Sequence, residues 1–141
     1  MSTHTVELHG QKYNISYHPG EEGLEVGAYV SSLLSPVALQ MQFALEEGDS
    51  DKPLADLSKD KQDKIRGAMG DLLKALPAKE LLALCKTAFA YTRLDGEAKP
   101  LADKVMFDSH FRGNYKALIP LLKAVIEYNG FLDLNVLGLL Q

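Results

Sequence analysis

The feature that most constrains this chain is the recurrence of apolar residues every three or four positions through its second half. Ile65, Met69, Leu72, Leu73 and Leu76 fit one stripe; Leu81, Leu84, Cys85, Ala88 and Phe89 fit a second. Phe107, Phe111, Tyr115, Leu118, Leu122, Val125 and Ile126 form a third. That period is the buried face of an amphipathic helix, so the chain has to pack several helices against one another. Proline and glycine punctuate the runs. Pro77 stops one helix and opens the next, Asn129-Gly130 reads as a helix stop, and Pro120 means that the last helix kinks there or starts later than Asn114.

Upstream, Leu24, Tyr29, Val30, Leu33 and Leu34 are also spaced as a helix. Ser35-Pro36 suits a restart, with serine as N-cap and proline at the first helical position, and Val37, Leu39, Met41, Phe43 and Leu45 fall on the second piece. From about Ser58 the helical pattern resumes, whereas Arg93-Leu94-Asp95-Gly96 through Pro100 reads as a turn-rich connection.

Only the N-terminus has a different period. His4, Val6 and Leu8 alternate with polar residues, as do Tyr13, Ile15 and Tyr17, the signature of two half-buried strands. With Gly10-Gln11 as a type II′ loop, Leu8 pairs with Tyr13, Val6 with Ile15 and His4 with Tyr17. The expected fold is mainly α: an N-terminal β-hairpin followed by about five helices, α+β by strict count. At 141 residues it is one small domain, with the hairpin at 3–18, a helical body at 24–129 and an apolar C-terminal tail at 130–141.

Charge is placed unevenly. The chain carries a net −4, and Glu46 to Asp63 holds seven acids and three lysines, which accounts for all of it. Val125 to Gln141 carries only Glu127 and Asp133. The acidic balance argues against a nucleic-acid binder, which needs a basic face. Val26 to Leu45 is uncharged and long enough to span a bilayer, but it contains Ser31, Ser32, Ser35, Pro36, Gln40 and Gln42 and is flanked by Glu25 and Glu46. It reads as a core-facing helix, so no membrane is expected. The first eight residues lack the basic and apolar regions of a secretory signal, which points to the cytoplasm.

The residues offer little chemistry. His4, His9, His18 and His110 are scattered without metal-ligand spacing, and Cys85 is the only cysteine and lies on an apolar stripe. Asp49 and Asp51 open like a calcium loop, but Pro53 and the lack of a following glycine break the pattern. Gly20, Gly23 and Gly27 match no phosphate-binding fingerprint. Asp108-Ser109-His110 contains triad residue types, yet neighbours on a helical turn point apart, and Asp108 reads as a helix N-cap. No catalytic residue, cofactor site or metal site is expected, and the chain reads as a binding protein.

Phe107-Asp108-Ser109-His110-Phe111-Arg112-Gly113 is an F-D-x-x-F-x-G stretch. It is followed by Leu118, Leu121, Leu122, Val125 and Ile126 and then by Asn129, Phe131 and Asp133. This combination resembles the tail assembly chaperones of long-tailed bacteriophages, as does the order of elements along nearly the whole chain. The resemblance implies a non-enzymatic protein of the host cytoplasm, absent from the finished virion, that keeps the tape measure protein soluble until tail tube subunits assemble around it. The tail tube protein is a further implied partner. A frameshifted longer form is also implied.

Under that reading Phe107, Phe111, Leu118, Leu122, Phe131, Leu134 and Leu137 are the candidate partner-binding residues. Phe107, Phe111 and Tyr115 anchor the last helix inside the fold first and meet a partner second. Asp108, Gly113 and Asn129 are structural, with Gly113 serving a turn or close packing and Asn129 capping a helix end. The apolar end can close a homo-oligomer as readily as a groove. The alternative function is a structural completion or adaptor protein retained in the tail; weaker still is a host-directed inhibitor acting through the acidic loop.

Overall fold

The computed structural model describes residues 3–42 and 57–131. Two antiparallel strands, β1 (Thr3–Leu8) and β2 (Gln11–Ser16), form the expected hairpin. Its loop is His9-Gly10, not Gly10-Gln11. His9 has φ 51° and Gly10 φ 82°, the left-handed pair of a type I′ turn, and histidine is one of the few side chains that accepts this region. The register is therefore His4 with Ile15, Val6 with Tyr13 and Leu8 with Gln11. Relative to the expected pairing the slip is by two residues, so every side chain keeps its face. Tyr13 and Ile15 are fully buried.

A third strand, β3 (Thr92–Leu94), pairs antiparallel with β2, Tyr13 opposite Leu94 and Ile15 opposite Thr92. It lies where the sequence reads only as a connection, because three residues are too few to establish an alternation. Backbone bonds from Asp95 N to Lys12 O (2.9 Å) and from Leu101 N to Thr92 O (2.8 Å) fasten both sides of it.

Five α-helices are present among the described residues. Helix α1 (Gly20–Gln42) runs straight through Ser35-Pro36, so the expected restart does not occur. Proline in a helix interior removes one backbone bond at a cost of roughly 3 kcal/mol, and here the helical apolar spacing on both sides of Pro36 prevails over it. Val26 and Val30 face inward, while Leu24, expected on the same stripe, is 64% exposed. Helix α2 (Lys59–Ala75) starts at Ser58, whose hydroxyl accepts from Lys61 N, and buries Ile65, Met69, Gly70 and Leu73. Helix α3 (Ala78–Ala88) follows Pro77, buries Leu84, Cys85 and Ala88, and runs into a 3₁₀ turn whose first residue, Phe89, is also buried.

Helix α4 (Lys104–Phe111) is capped by Asp103, whose carboxylate accepts from Met106 N at 3.2 Å. Asp108 is therefore not the N-cap; it lies inside the helix with an exposed side chain, because the helix begins a full turn earlier than its aromatic stripe suggests. Gly113, at φ 69°, makes the turn after α4, and a Cβ there would meet no atom within 4 Å, so the glycine serves conformation and not close packing.

Helix α5 (Leu118–Tyr128) starts after a 3₁₀ turn at Tyr115–Ala117. Pro120 thus falls in the first helical turn, where its missing N–H leaves no bond unmade. At the other end Gly130 N donates to Glu127 O and Phe131 N to Ile126 O, both at 3.1 Å, with Gly130 at φ 74°. This is a Schellman closure, and it turns Phe131 back toward the buried Ile126.

The elements share one core: Tyr13 and Ile15 from the sheet, Val30, Ile65, Met69, Leu84 and Phe89 from α1 to α3 and the turn after it, and Phe111, Leu121, Leu122 and Val125 from α4 and α5. Helix α5 packs against α2, α3 and β1, and α1 against α2 and α3. Among the described residues no helix is long and apolar enough to cross a membrane. Most of the acidic stretch, Glu46 to Asp56, lies outside the described residues, whereas Asp60 and Asp63 lie exposed on α2.

Candidate functional site

The motif residues between Phe107 and Phe131 are brought together, and most of them are inside. Phe111 is 1% exposed and stacks on Phe89 with ring centroids 5.9 Å apart. Phe107 is half-buried, 4.8 Å from the Phe111 ring, and Lys86 Nζ sits 4.6 Å above its face. Next to them the Tyr13 hydroxyl and His110 Nε2 are 2.6 Å apart, tying α4 to the hairpin. Burial raises the Tyr13 pKa above its usual value and lowers that of His110, so both groups are held neutral.

Asn129 closes the other end. Its Nδ2 donates to Val125 O (3.0 Å), while its Oδ1 accepts from His18 N (2.9 Å) and lies 3.2 Å from His18 Nδ1. His18 Nε2 is 3.3 Å from the Thr87 carbonyl oxygen, and the ring meets Tyr91 and Phe131 edge-on. Phe131 in turn lies against the Gly27 backbone, where a Cβ would come within 3.4 Å of its ring. The helix-capping role read for Asn129 is thus joined to a second one: it holds α5 to the end of the hairpin.

For the expected partner contacts this has a consequence. Phe111, Leu122 and Phe131 are at most 5% exposed, their apolar surface already taken by the core, and so they have no face to offer a partner. Phe107 and Leu118 are half-buried and pack against that core. Leu134 and Leu137 lie outside the described residues. Among the described residues the large apolar side chains that do reach the surface are Tyr17, Leu24, Leu82, Val105 and Tyr115.

One of these, Tyr115, is 70% exposed and so does not anchor the last helix inside the fold as expected, because it falls in the 3₁₀ turn before α5; it lines a groove of about 640 Å³ between α2 and α5. Ile119, Pro120 and Ala124 on α5 and Gly67 and Gly70 on α2 supply its apolar lining. Arg66, Lys74, Lys116 and Lys123 surround it with only Asp71 and Glu127 in opposition, a surplus of two positive charges in a chain of net −4. Arg66 Nε is bonded to Glu127 Oε1 at 2.8 Å, whereas among the described residues Lys74, Lys116 and Lys123 have no ion-pair partner.

Nucleophilic chemistry has little support here. Cys85 is buried, and burial pushes its thiol up to about 12. Among the described residues no group of three or more His, Cys, Asp and Glu could hold a metal ion. The groove itself offers apolar surface beside ammonium groups, which is the chemistry of binding.

Sequence reasoning missed the groove. Its signal was present as two glycines, Gly67 and Gly70, inside an otherwise strong helical stripe, and as Lys116 in the turn before α5 and Lys123 on α5.

The profile of the family described as "Phage tail assembly chaperone protein, TAC" matches residues 9–132. The match runs from the hairpin turn to just past Phe131, taking in the aromatic motif, the Asn129 junction and both walls of the groove. The chain belongs to the phage tail assembly chaperones. No curated protein and no solved structure matches it.

Proposed function

We propose that the chain is a non-enzymatic chaperone that binds the tape measure protein and keeps it soluble until tail tube subunits assemble around it. The observation that carries this reading is the family match across residues 9–132. A protein that must hold a long helical client and then release it needs a surface of moderate affinity. Each apolar side chain fully buried on binding contributes roughly 1.5 to 3 kcal/mol before ordering costs. In this reading Phe111, Leu122, Phe131 and Asn129 act through the fold they hold together. Partner contact falls to the exposed flank of Phe107, to Leu118, and to Leu134 and Leu137 in the apolar tail. The protein acts in the host cytoplasm, is absent from the virion, and meets the tail tube protein when the client is handed over.

Co-expression with the tape measure protein of the same phage tests the reading. The soluble fraction of that protein should rise with this chain present; no rise would sink the idea. Mass spectrometry of purified virions separates the chaperone from a retained completion or adaptor protein. The chaperone is missing from the particle, whereas a structural component appears in stoichiometric amounts.

A further inference from the structure

We propose that the groove between α2 and α5 is the docking site for a partner helix whose apolar face is flanked by carboxylates. The proposal rests on the chaperone reading and adds to its contacts a second place of contact and the chemistry of the ligand there. Charge carries the argument. Lys74 stands on one wall and Lys116 and Lys123 on the other, none with an ion-pair partner among the described residues, around a lining that keeps two surplus positive charges. Gathering unpaired ammonium groups at one cleft repels other cations and draws in carboxylates, which sets specificity and association rate more than affinity.

The apolar part of the lining supplies the remaining contact. Ile119, Pro120 and Ala124 form a strip along α5, and the exposed Tyr115 ring at its start is an amphipathic anchor of the kind enriched at binding hot spots. From Lys116 to Glu127 the wall is about 16 Å long at the helical rise per residue, which accommodates three turns of a partner helix laid in the groove. At Gly67 an added Cβ would meet no atom within 4 Å, so the protein itself leaves open the space that a partner's backbone can approach. A nucleic acid fits less well, because its backbone is held by several lysines and arginines at once and the lining has a surplus of only two positive charges.

The test uses the full chain and two fluorescein-labelled helical peptides with the same leucine stripe, one flanked by Glu and the other by Lys, read by fluorescence anisotropy. The Glu peptide should bind about tenfold more tightly than the Lys peptide, with the advantage shrinking as salt rises. The double variant Lys116→Glu/Lys123→Glu should abolish or reverse that preference, and Tyr115→Ala should weaken both peptides. Lys99→Glu, in an exposed loop, should change nothing. Circular dichroism establishes that each variant is folded; Tyr115 and Lys116 are exposed, so single variants at these positions carry the test if the double variant unfolds. Equal affinity of the wild type for the two peptides, or a preference that survives in the lysine variants, overturns the proposal. So does equally tight binding of a labelled single-stranded oligonucleotide, or a wild-type dimer that the charge reversals dissociate, since the groove would then serve another occupant. Co-expression separates the two levels. If the wild type solubilises the tape measure protein and the groove variants do so equally well, the groove assignment fails and the chaperone reading stands. If the wild type itself does not, the chaperone reading fails and the peptide preference alone decides the groove.

Discussion

The Asn129 carboxamide oxygen accepts the backbone N–H of His18 at 2.9 Å, joining the end of α5 to the end of the hairpin across 111 residues of sequence. The same side chain donates to Val125 O, so one residue both caps a helix and fastens it to the sheet. Substituting Asn129→Ala leaves the N–H of the buried His18 without its partner, whereas the Val125 carbonyl keeps the bond from the backbone N–H of residue 129. An unsatisfied buried group costs about 1 to 3 kcal/mol, and that loss should appear in urea unfolding as a lower midpoint with an unchanged slope. An unchanged midpoint would show that the junction does not hold the fold.

Two glycines should respond in opposite directions. Gly130 sits at φ 74° in the closure of α5, and Gly130→Ala should cost about 1 to 2 kcal/mol because a Cβ is crowded in that conformation. Gly67 lies within α2 with nothing within 4 Å of an added Cβ, so Gly67→Ala should stabilise the chain by up to about 1 kcal/mol through helix propensity. Thermal midpoints of the two variants check the pair. If both fall, the space at Gly67 is not open.

How far the fold was legible depended on the length of each signal. Stripes such as Ile65 to Leu73 extend over several turns, and they specified α2 and α3 and their buried faces. The hairpin's faces were legible from alternation, but its register was not, since a slip of two residues keeps the parity that the pattern reports, and only the backbone at His9 decides between the loops. Strand β3 was too short to alternate. Pro36 shows the limit of punctuation, because a local breaker was overridden by the helical spacing on either side. The aromatic motif was legible as a family mark, yet a sequence does not tell a core aromatic from a surface one, and Phe111 and Phe131 are core. The groove was illegible because it is assembled from two helices about fifty residues apart, Lys74 against Lys123, and no local pattern records that pairing.

Acid should weaken the fold through His110. Burial depresses its pKa in the folded state below the ordinary value near 6.5, while the unfolded chain keeps that value. As the pH falls below about 6.5 the unfolded state takes up the proton first, so this contribution to stability is intact above that pH and is lost on the way down to the folded pKa. Urea midpoints between about pH 7.5 and pH 5 should fall more for the wild type than for His110→Gln, which has no proton to gain. Parallel curves would contradict the assignment.

The central claim is that this chain holds its client in solution by binding it, and dilution from denaturant tests that most directly. Unfolded tape measure protein is diluted into buffer with increasing amounts of this chain, and the pelleted fraction is measured after centrifugation. The account predicts that pelleting falls in proportion to the added chain and levels off at a fixed stoichiometry, without any nucleotide. Pelleting that is the same with and without the chain would contradict it.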